Sequence, residues 1–516
     1  MTFGARVSGA LRRCAPGLLV IPLLLVLLAT RQGIALDWDA VVYLSAADSF
    51  ADTGRLIDFR GKVLTTFAPG LPFVVGTLLK TGLSFNAIGI GLGVVALATT
   101  LFCTYRVARS VLGSVALAWL AVLLVGLAVS TVRVFGILKT EALFSALVMV
   151  TLTLGLWAVQ RQRTPPWWVL TLAVTVSAAT TMRYIGFTLI PMGALAAFLA
   201  QRHRGTWPAV GLAVITGAAT SAGLVLVSVR NMLLGVPPLG VRSPSGLTLA
   251  DVATDTLGVW GSYLVPAQPA GRVQFWGGLL VLGLLLLAAV ASYRLRSMTG
   301  FFLLVFMAGY LASLSYSEIA TVIQPVNERL LAPVFPSLVI LVMLGLAWAC
   351  RMYADQPERH PRRWPVTLVR VLVLTSLAST LVVSAVTSTS FALENSRTGT
   401  GYNSIKSRTS PTALAVRTLP QAAGVAAVNG PRVYMATGRR PIFEIPWTNF
   451  FSRPEARQAK VRALRAQVRS GRVDYLVYFK SDSSNNVVTA RQLRTTGLTL
   501  RKVGKFRDGE IWHASP

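Results

Sequence analysis

The stretch LDWDAVVYL, residues 36–44, follows closely on the apolar run LLVIPLLLVLLA at 18–29. It places two carboxylates, Asp37 and Asp39, where a membrane helix surfaces. A carboxylate so placed can take a proton from an attacking hydroxyl. Other polar residues gather at the ends of later apolar runs: Lys139 and Glu141, Arg183 and Tyr184, Arg230 with Asn231 and Arg242, Glu328 and Arg329. Arginine guanidiniums bind phosphate through paired hydrogen bonds and stabilise it as it leaves. Acids and arginines at one membrane boundary therefore suit a reaction on a phosphate-linked lipid. One aspartate would be the base, where a lipid-borne donor meets a water-side acceptor.

Each residue also has a plainer reading. Glu141 follows Thr140 at a helix start, where an acid complements the helix dipole. Arg230 and Arg329 flank spans, and long cationic side chains there reach out to headgroups. Asp37 and Asp39 can simply mark the outer side. The case for chemistry is their convergence, because charge at membrane depth is costly and usually lines a functional cavity.

The elements that must position these residues are membrane helices. Hydrophobic residues make up 53% of the 516 and charged residues 13%, with a mean hydropathy of +0.61. That composition lies far from a soluble domain. A formal net charge of +30 would suggest nucleic acid in a soluble chain, whereas in a membrane protein Lys and Arg mark cytoplasmic loops. A span needs about 20 apolar residues. Eleven windows qualify, near 16–36, 84–105, 112–131, 141–160, 166–182, 185–200, 207–228, 275–293, 299–316, 331–350 and 366–388. The first is taken as an uncleaved span rather than a signal peptide. PGLPFVVGTLLK at 69–80 is a partial or interfacial helix; if it crosses, the count changes.

With the N-terminus inside, the short inner loops carry Arg106 and Arg109, Arg161 and Arg163, Arg202 and Arg204, and Arg294 and Arg296. Acids were not used in the assignment and provide a check. Of 19 Asp and Glu residues, only Asp355 and Glu358 fall inside. The expected architecture is mainly α: a polytopic bundle of about 11–13 spans over residues 1–389 with a first outer loop at 37–83. Residues 390–516 hold 21 Lys and Arg against 7 Asp and Glu and contain no long apolar run. VAAVN, VYMATG and VDYLVYFK look like strands, and RPEARQAKVRALRAQVRSG like a basic helix ending at Gly471. The expectation is a small extracytoplasmic α/β domain, its basic surface either simply solvated or facing anionic headgroups or glycans.

At these residues the chain resembles bacterial GT-C fold integral membrane glycosyltransferases, the broad group related to protein mannosyltransferases and the lipid A aminoarabinose transferase. The resemblance is carried first by DAVVYLSAADSFADTGRLIDFRGKVLTTFAPGLPFVV, an acid, an aromatic, a small-residue helix, a glycine turn and a Pro-rich entry. KTEALFSAL, MRYIGFTLIP, VRNMLLGVPPLGVRSPSG, NERLLAPVFP and VNGPRVYMATGRRP extend it over most of the chain. It implies an inverting transferase that uses a polyprenyl-phosphate-linked sugar and delivers it to a lipid, glycan or protein acceptor outside the cytoplasmic membrane. Asp39 would be the base, with Asp37 the weaker candidate. Arg230, Arg242, Arg329 and Arg183 would meet the lipid phosphate, and Glu141 a sugar hydroxyl or an arginine. The chain has Phe67 and Ala68 before Pro69, where the family usually has a second proline. It also lacks a paired acid beside Asp39, which leaves a divalent cation an open possibility.

Three cysteines, Cys14, Cys103 and Cys350, and three scattered histidines form no disulfide framework or metal-ligand spacing. The expected partners are the lipid-linked donor, membrane lipids and the acceptor, without nucleic acid. A secondary transporter would show paired halves with helices broken at mid-membrane. A glycan ligase, polymerase or flippase would share the arginines but have no need of Asp39.

Overall fold

The computed structural model describes residues 17–516 except 241–244, 265–270, 322–324, 355–363, 442, 446–453, 481–486 and 496. Among the described residues, eight helices are long and apolar enough to cross a membrane. They are Phe85–Leu112, Thr140–Arg161, Tyr184–Arg204, Thr206–Leu233, Gly271–Arg294, Met298–Ala320, Phe335–Met352 and Val371–Thr398. A ninth is reached if Val115–Gly126 and Val129–Phe135, bent by 62° at their junction, form one span. Lipid offers the backbone no hydrogen-bond partner, so helices satisfy their amides internally.

The remaining two apolar windows lie on shorter helices, Gly17–Ala29 and Pro166–Met182, and the 69–80 piece is the helix Gly70–Leu79. At about 1.5 Å per residue, ten residues reach half-way across a hydrocarbon core, in keeping with a partial helix. The chain is thus a multi-pass membrane protein. The window at 112–131 falls on the bent pair. Between helices Ala222–Leu233 and Gly271–Arg294 the chain forms a further helix, Leu249–Leu264.

The chain divides into two compact units. The first comprises Met1–Ala29, Thr65–Gly70 and Ile90–Glu394 and holds the long helices. Small residues allow close helix packing there. Helices Leu249–Leu264 and Gly271–Arg294 meet at Gly261 and Gly278, where a side chain would collide with the carbonyls of Gln274 and Leu257.

The second unit gathers Thr30–Leu64, Leu71–Gly89 and Asn395–Pro516. Its five-stranded sheet runs β2-β1-β3-β5-β4, with β1 Val425–Ala427, β2 Phe443–Glu444, β3 Tyr475–Phe479, β4 Thr499–Phe506 and β5 Gly509–Ser515. β1 pairs in parallel with β2 and β3, and β5 antiparallel with β3 and β4. Alternation puts Ala426, Leu476, Leu500 and Ala514 on one face, against Leu464 and Val468 of the basic helix Pro454–Arg469. Val425, Ala427, Val477 and Ile511 pack on the other, against Ala413, Val433 and Ala436.

VYMATG is a correction. It belongs to helix Gly430–Thr437, not to a strand. Asn429 caps that helix by accepting from the Arg432 amide, Pro431 sits in its first turn, and Gly438 ends it in the left-handed conformation. Those end signals outweigh the β-branched look of the middle. The 34–37 segment is tied into the same unit. Asn403 Nδ2 donates to the Ile34 carbonyl at 2.9 Å, and the Tyr402 amide to the Leu36 carbonyl at 2.7 Å.

Candidate active site

Glu141 is the second residue of helix Thr140–Arg161, and its side chain is only 3% exposed. Its Oε1 lies 2.6 Å from Arg183 Nη1 and 3.2 Å from Arg329 Nε. The Thr140 hydroxyl donates to Oε2 at 3.3 Å. Burying a carboxylate costs several kcal/mol, about what good partners can return. Here two guanidiniums and the positive end of the helix offset it. Three elements meet at this carboxylate. Arg183 stands in extended backbone where helix Pro166–Met182 gives way to the 3-10 turn Tyr184–Thr188. Arg329 sits in the short helix Glu328–Leu331, whose Asn327 cap accepts from the Arg329 and Leu330 amides.

Each arginine side chain is 18% exposed, so both guanidiniums are within reach of a ligand. Arg183 also lies 5.9 Å over the Phe144 ring, and buried Tyr310 donates to the Leu330 carbonyl at 2.8 Å, bracing the Arg329 helix. Arg133, which the sequence reading missed, reaches Glu328 at 3.3 Å and stacks 5.2 Å over Phe391. Its one sequence signal is a lone cation in the apolar run VSTVRVF. The pair is more exposed, at 52% and 27%, and contributes little to stability. Lys139 is buried at the position preceding the Glu141 helix.

Tyr184, Arg230 and Asn231 form a second network. Asn231, fully buried, donates to Tyr184 Oη at 3.1 Å and to the Pro238 carbonyl at 2.8 Å, and accepts from Arg230 at 3.1 Å. Tyr184 Oη lies 3.1 Å and 3.3 Å from the Thr65 and Phe67 carbonyls, to which it donates. This network anchors the residue next to Arg183 and holds the Arg230 head. Arg230 and Asn231 belong to the last turn of helix Ala222–Leu233. Arg242 lies outside the described residues.

Asp37 and Asp39 belong to the second unit. Asp37 caps helix Trp38–Thr53, its Oδ1 accepting from the Ala40 amide at 3.1 Å. That role alone accounts for an acid at this position. Asp39, in the first turn, is partly exposed. Between them, Trp38 Nε1 donates to Glu444 Oε1 at 3.0 Å. Burial raises the Glu444 carboxyl above its ordinary range, against the Trp38 hydrogen bond and the charge of Arg60. On the same helix, Asp48 accepts from the Tyr434 hydroxyl at 2.8 Å. Among the described residues no three His, Cys, Asp or Glu side chains gather as a metal site.

Burial also raises the Asp48 carboxyl, with Asp52 adding to it and Tyr434 and Arg440 opposing. A raised folded-state value means that Asp48 favours the folded state at acid pH and loses that contribution as pH rises through it. Asp48→Asn removes the buried charge and keeps an acceptor for Tyr434. Thermal melts are expected to show its stability relative to wild type rising from pH 4 to pH 7. An offset independent of pH would contradict this.

No family model matches the chain, and no curated protein matches its sequence. Solved structures do. ArnT from Cupriavidus metallidurans, bound to undecaprenyl phosphate, matches with a TM-score of 0.58 at 13% identity over 97% of both chains. Its apo form gives 0.59 at 14% identity over 98% of each. The chain has the GT-C fold. The Archaeoglobus fulgidus oligosaccharyltransferase, solved with zinc and sulfate, matches at 0.55 and 12% identity over 90% of this chain and 68% of its own. Arabinofuranosyltransferase AftD from mycobacteria matches at 0.52 and 15% over 97% of this chain and 41% of its own.

Proposed function

We propose that the chain is an inverting glycosyltransferase that takes a sugar from a polyprenyl-phosphate donor. Its acceptor is a lipid, glycan or protein hydroxyl on the outer face of the cytoplasmic membrane. The observation that carries this reading is the Glu141-held pair of arginines, Arg183 and Arg329. Such a pair, preorganised and partly buried, suits the charge that develops on a departing phosphate. The fold supports it, since ArnT was solved with undecaprenyl phosphate and the archaeal oligosaccharyltransferase with a dolichol-phosphate.

In the proposed step Asp39 takes the proton of the acceptor hydroxyl. The hydroxyl oxygen forms a bond to the anomeric carbon from the face opposite the phosphate. The carbon–oxygen bond to the phosphate breaks, and its electron pair leaves on the polyprenyl phosphate, whose new charge the arginines hold. Inversion follows from the single displacement. The cytoplasmic inner loops and outer acids of the sequence support the extracytoplasmic orientation.

The test is native mass spectrometry of the purified full chain titrated with undecaprenyl phosphate. The expected result is one retained lipid, displaced by a second polyprenyl phosphate and not by a neutral polyprenol. Equal retention of the polyprenol, or no retention, would contradict the reading.

A further inference from the structure

The C-terminal segment has no part in the step above, yet one of its carboxylates reaches the residue between the two aspartates. The Trp38–Glu444 hydrogen bond joins positions 406 residues apart. The indole is enclosed on other sides as well. The Arg60 guanidinium lies 5.0 Å over its ring, and Phe59 meets it edge-on at 6.2 Å and 82°. Arg60 is itself held by Asp58, its Nε donating to Oδ2 at 2.9 Å. Glu444 sits on β2, a strand carried by β1 and so by the sheet.

We propose that Glu444 is a positioning residue for Asp39, acting through the Trp38 indole, so that the C-terminal segment holds this carboxylate in place. This rests on the reading of Asp39 as the base. Trp38 and Asp39 are consecutive in the first turn of one helix, so a pinned indole fixes the backbone from which the Asp39 carboxylate projects. A second tie clamps the same helix farther along. Tyr434 donates to Asp48 at 2.8 Å and packs its ring 6.2 Å from Phe59. Trp38 and Asp48 stand about 15 Å apart along the axis at 1.5 Å per residue. Two ties at that separation fix both the height and the tilt of the helix. Gly430, which starts the Tyr434 helix, lies against Phe59, where an added Cβ would come within 2.9 Å of the ring. A base must be held within a fraction of an ångström of its working geometry, and a displacement of about 1 Å can lower a rate about 100-fold.

The experiment uses the full-length protein in lipid nanodiscs, with two readouts. The first is the kinetics of sugar transfer. Glu444→Leu and Trp38→Phe are each expected to lower kcat roughly 10- to 100-fold with the donor KM unchanged. The double variant should be no worse than either, because both remove the same bond. Glu444→Gln keeps an acceptor oxygen and should retain most of the activity, which a fold defect would not predict. The second readout is the fluorine spectrum of protein labelled with 5-fluorotryptophan, the Trp38 resonance being assigned by its loss in Trp38→Phe. Glu444→Leu should shift that resonance and Glu444→Gln should leave it near its place. An unshifted resonance in Glu444→Leu, a wild-type kcat in that variant, or additive losses in the double variant would each overturn the proposal. If instead Asp39→Asn were fully active while the resonance still shifted, the base assignment would fail and the bond would stand.

Discussion

Arg329→Ala is expected to lower kcat for transfer by about 100- to 1000-fold, the range seen when one donor to a developing negative charge is removed. Its guanidinium is fixed from both ends, by the Asn327-capped helix behind it and by Glu141 at 3.2 Å. Little reorganisation is left for the moment of reaction. Glu141→Ala should be as damaging by a different route. It leaves Arg183 and Arg329 facing each other without the carboxylate between them. Removing one partner of a buried ion pair costs about 3–5 kcal/mol; with both arginines 18% exposed, solvent screening brings this to about 2 kcal/mol. The two variants separate in stability. Arg329→Ala should lose the retained undecaprenyl phosphate while melting near wild type. Glu141→Ala should lose both lipid and stability. Arg133→Ala, at the exposed pair with Glu328, should melt within a few tenths of a kcal/mol of wild type. Wild-type lipid retention and turnover in Arg329→Ala would take the phosphate away from this cluster.

Asp39→Asn is expected to reduce transfer by about 100- to 10,000-fold, the worth of a positioned general base. The donor KM should hold, because the amide keeps the shape of the site and loses only the ability to take a proton. Asp37 makes the contrast. Its carboxylate already accepts from the Ala40 amide. Asp37→Ala should therefore cost about 1 kcal/mol of stability, as lost helix caps do, while Asp37→Asn, which can still cap, should be close to wild type in both stability and rate. The comparison of Asp37→Asn with Asp39→Asn assigns the base. Loss of turnover in the former and not the latter would exchange their roles.

The membrane helices were legible because each apolar window carries its own length and hydropathy. The 62° bend near residue 127 was not, since the two halves read as one apolar run and no proline marks the break. Glu141 beside Thr140 could be placed at a helix start from sequence. That it holds Arg183 and Arg329 could not, because those partners are 42 and 188 residues away, and only the packing of three elements brings them in. Tyr184 and Asn231 were visible as polar residues at span ends, but their mutual hydrogen bond depends on the meeting of two helices 47 residues apart. VYMATG shows the opposite failure. Its local end signals, Asn429, Pro431 and Gly438, were present in the sequence and were outweighed there by the β-branched and aromatic residues. The likeness to GT-C transferases, first met in short motifs, reappears in the fold at 12–15% identity, where topology persists although few residues match.

The most direct measurement is transfer of a radiolabelled sugar from a panel of polyprenyl-phosphate donors, in proteoliposomes of the purified chain supplied with cell-envelope acceptors. The account predicts that wild type moves label from one donor to an acceptor with inversion at the anomeric carbon, and that Asp39→Asn at matched amounts does not. Equal transfer by the two proteins, or label that crosses the bilayer still attached to its lipid, would contradict it.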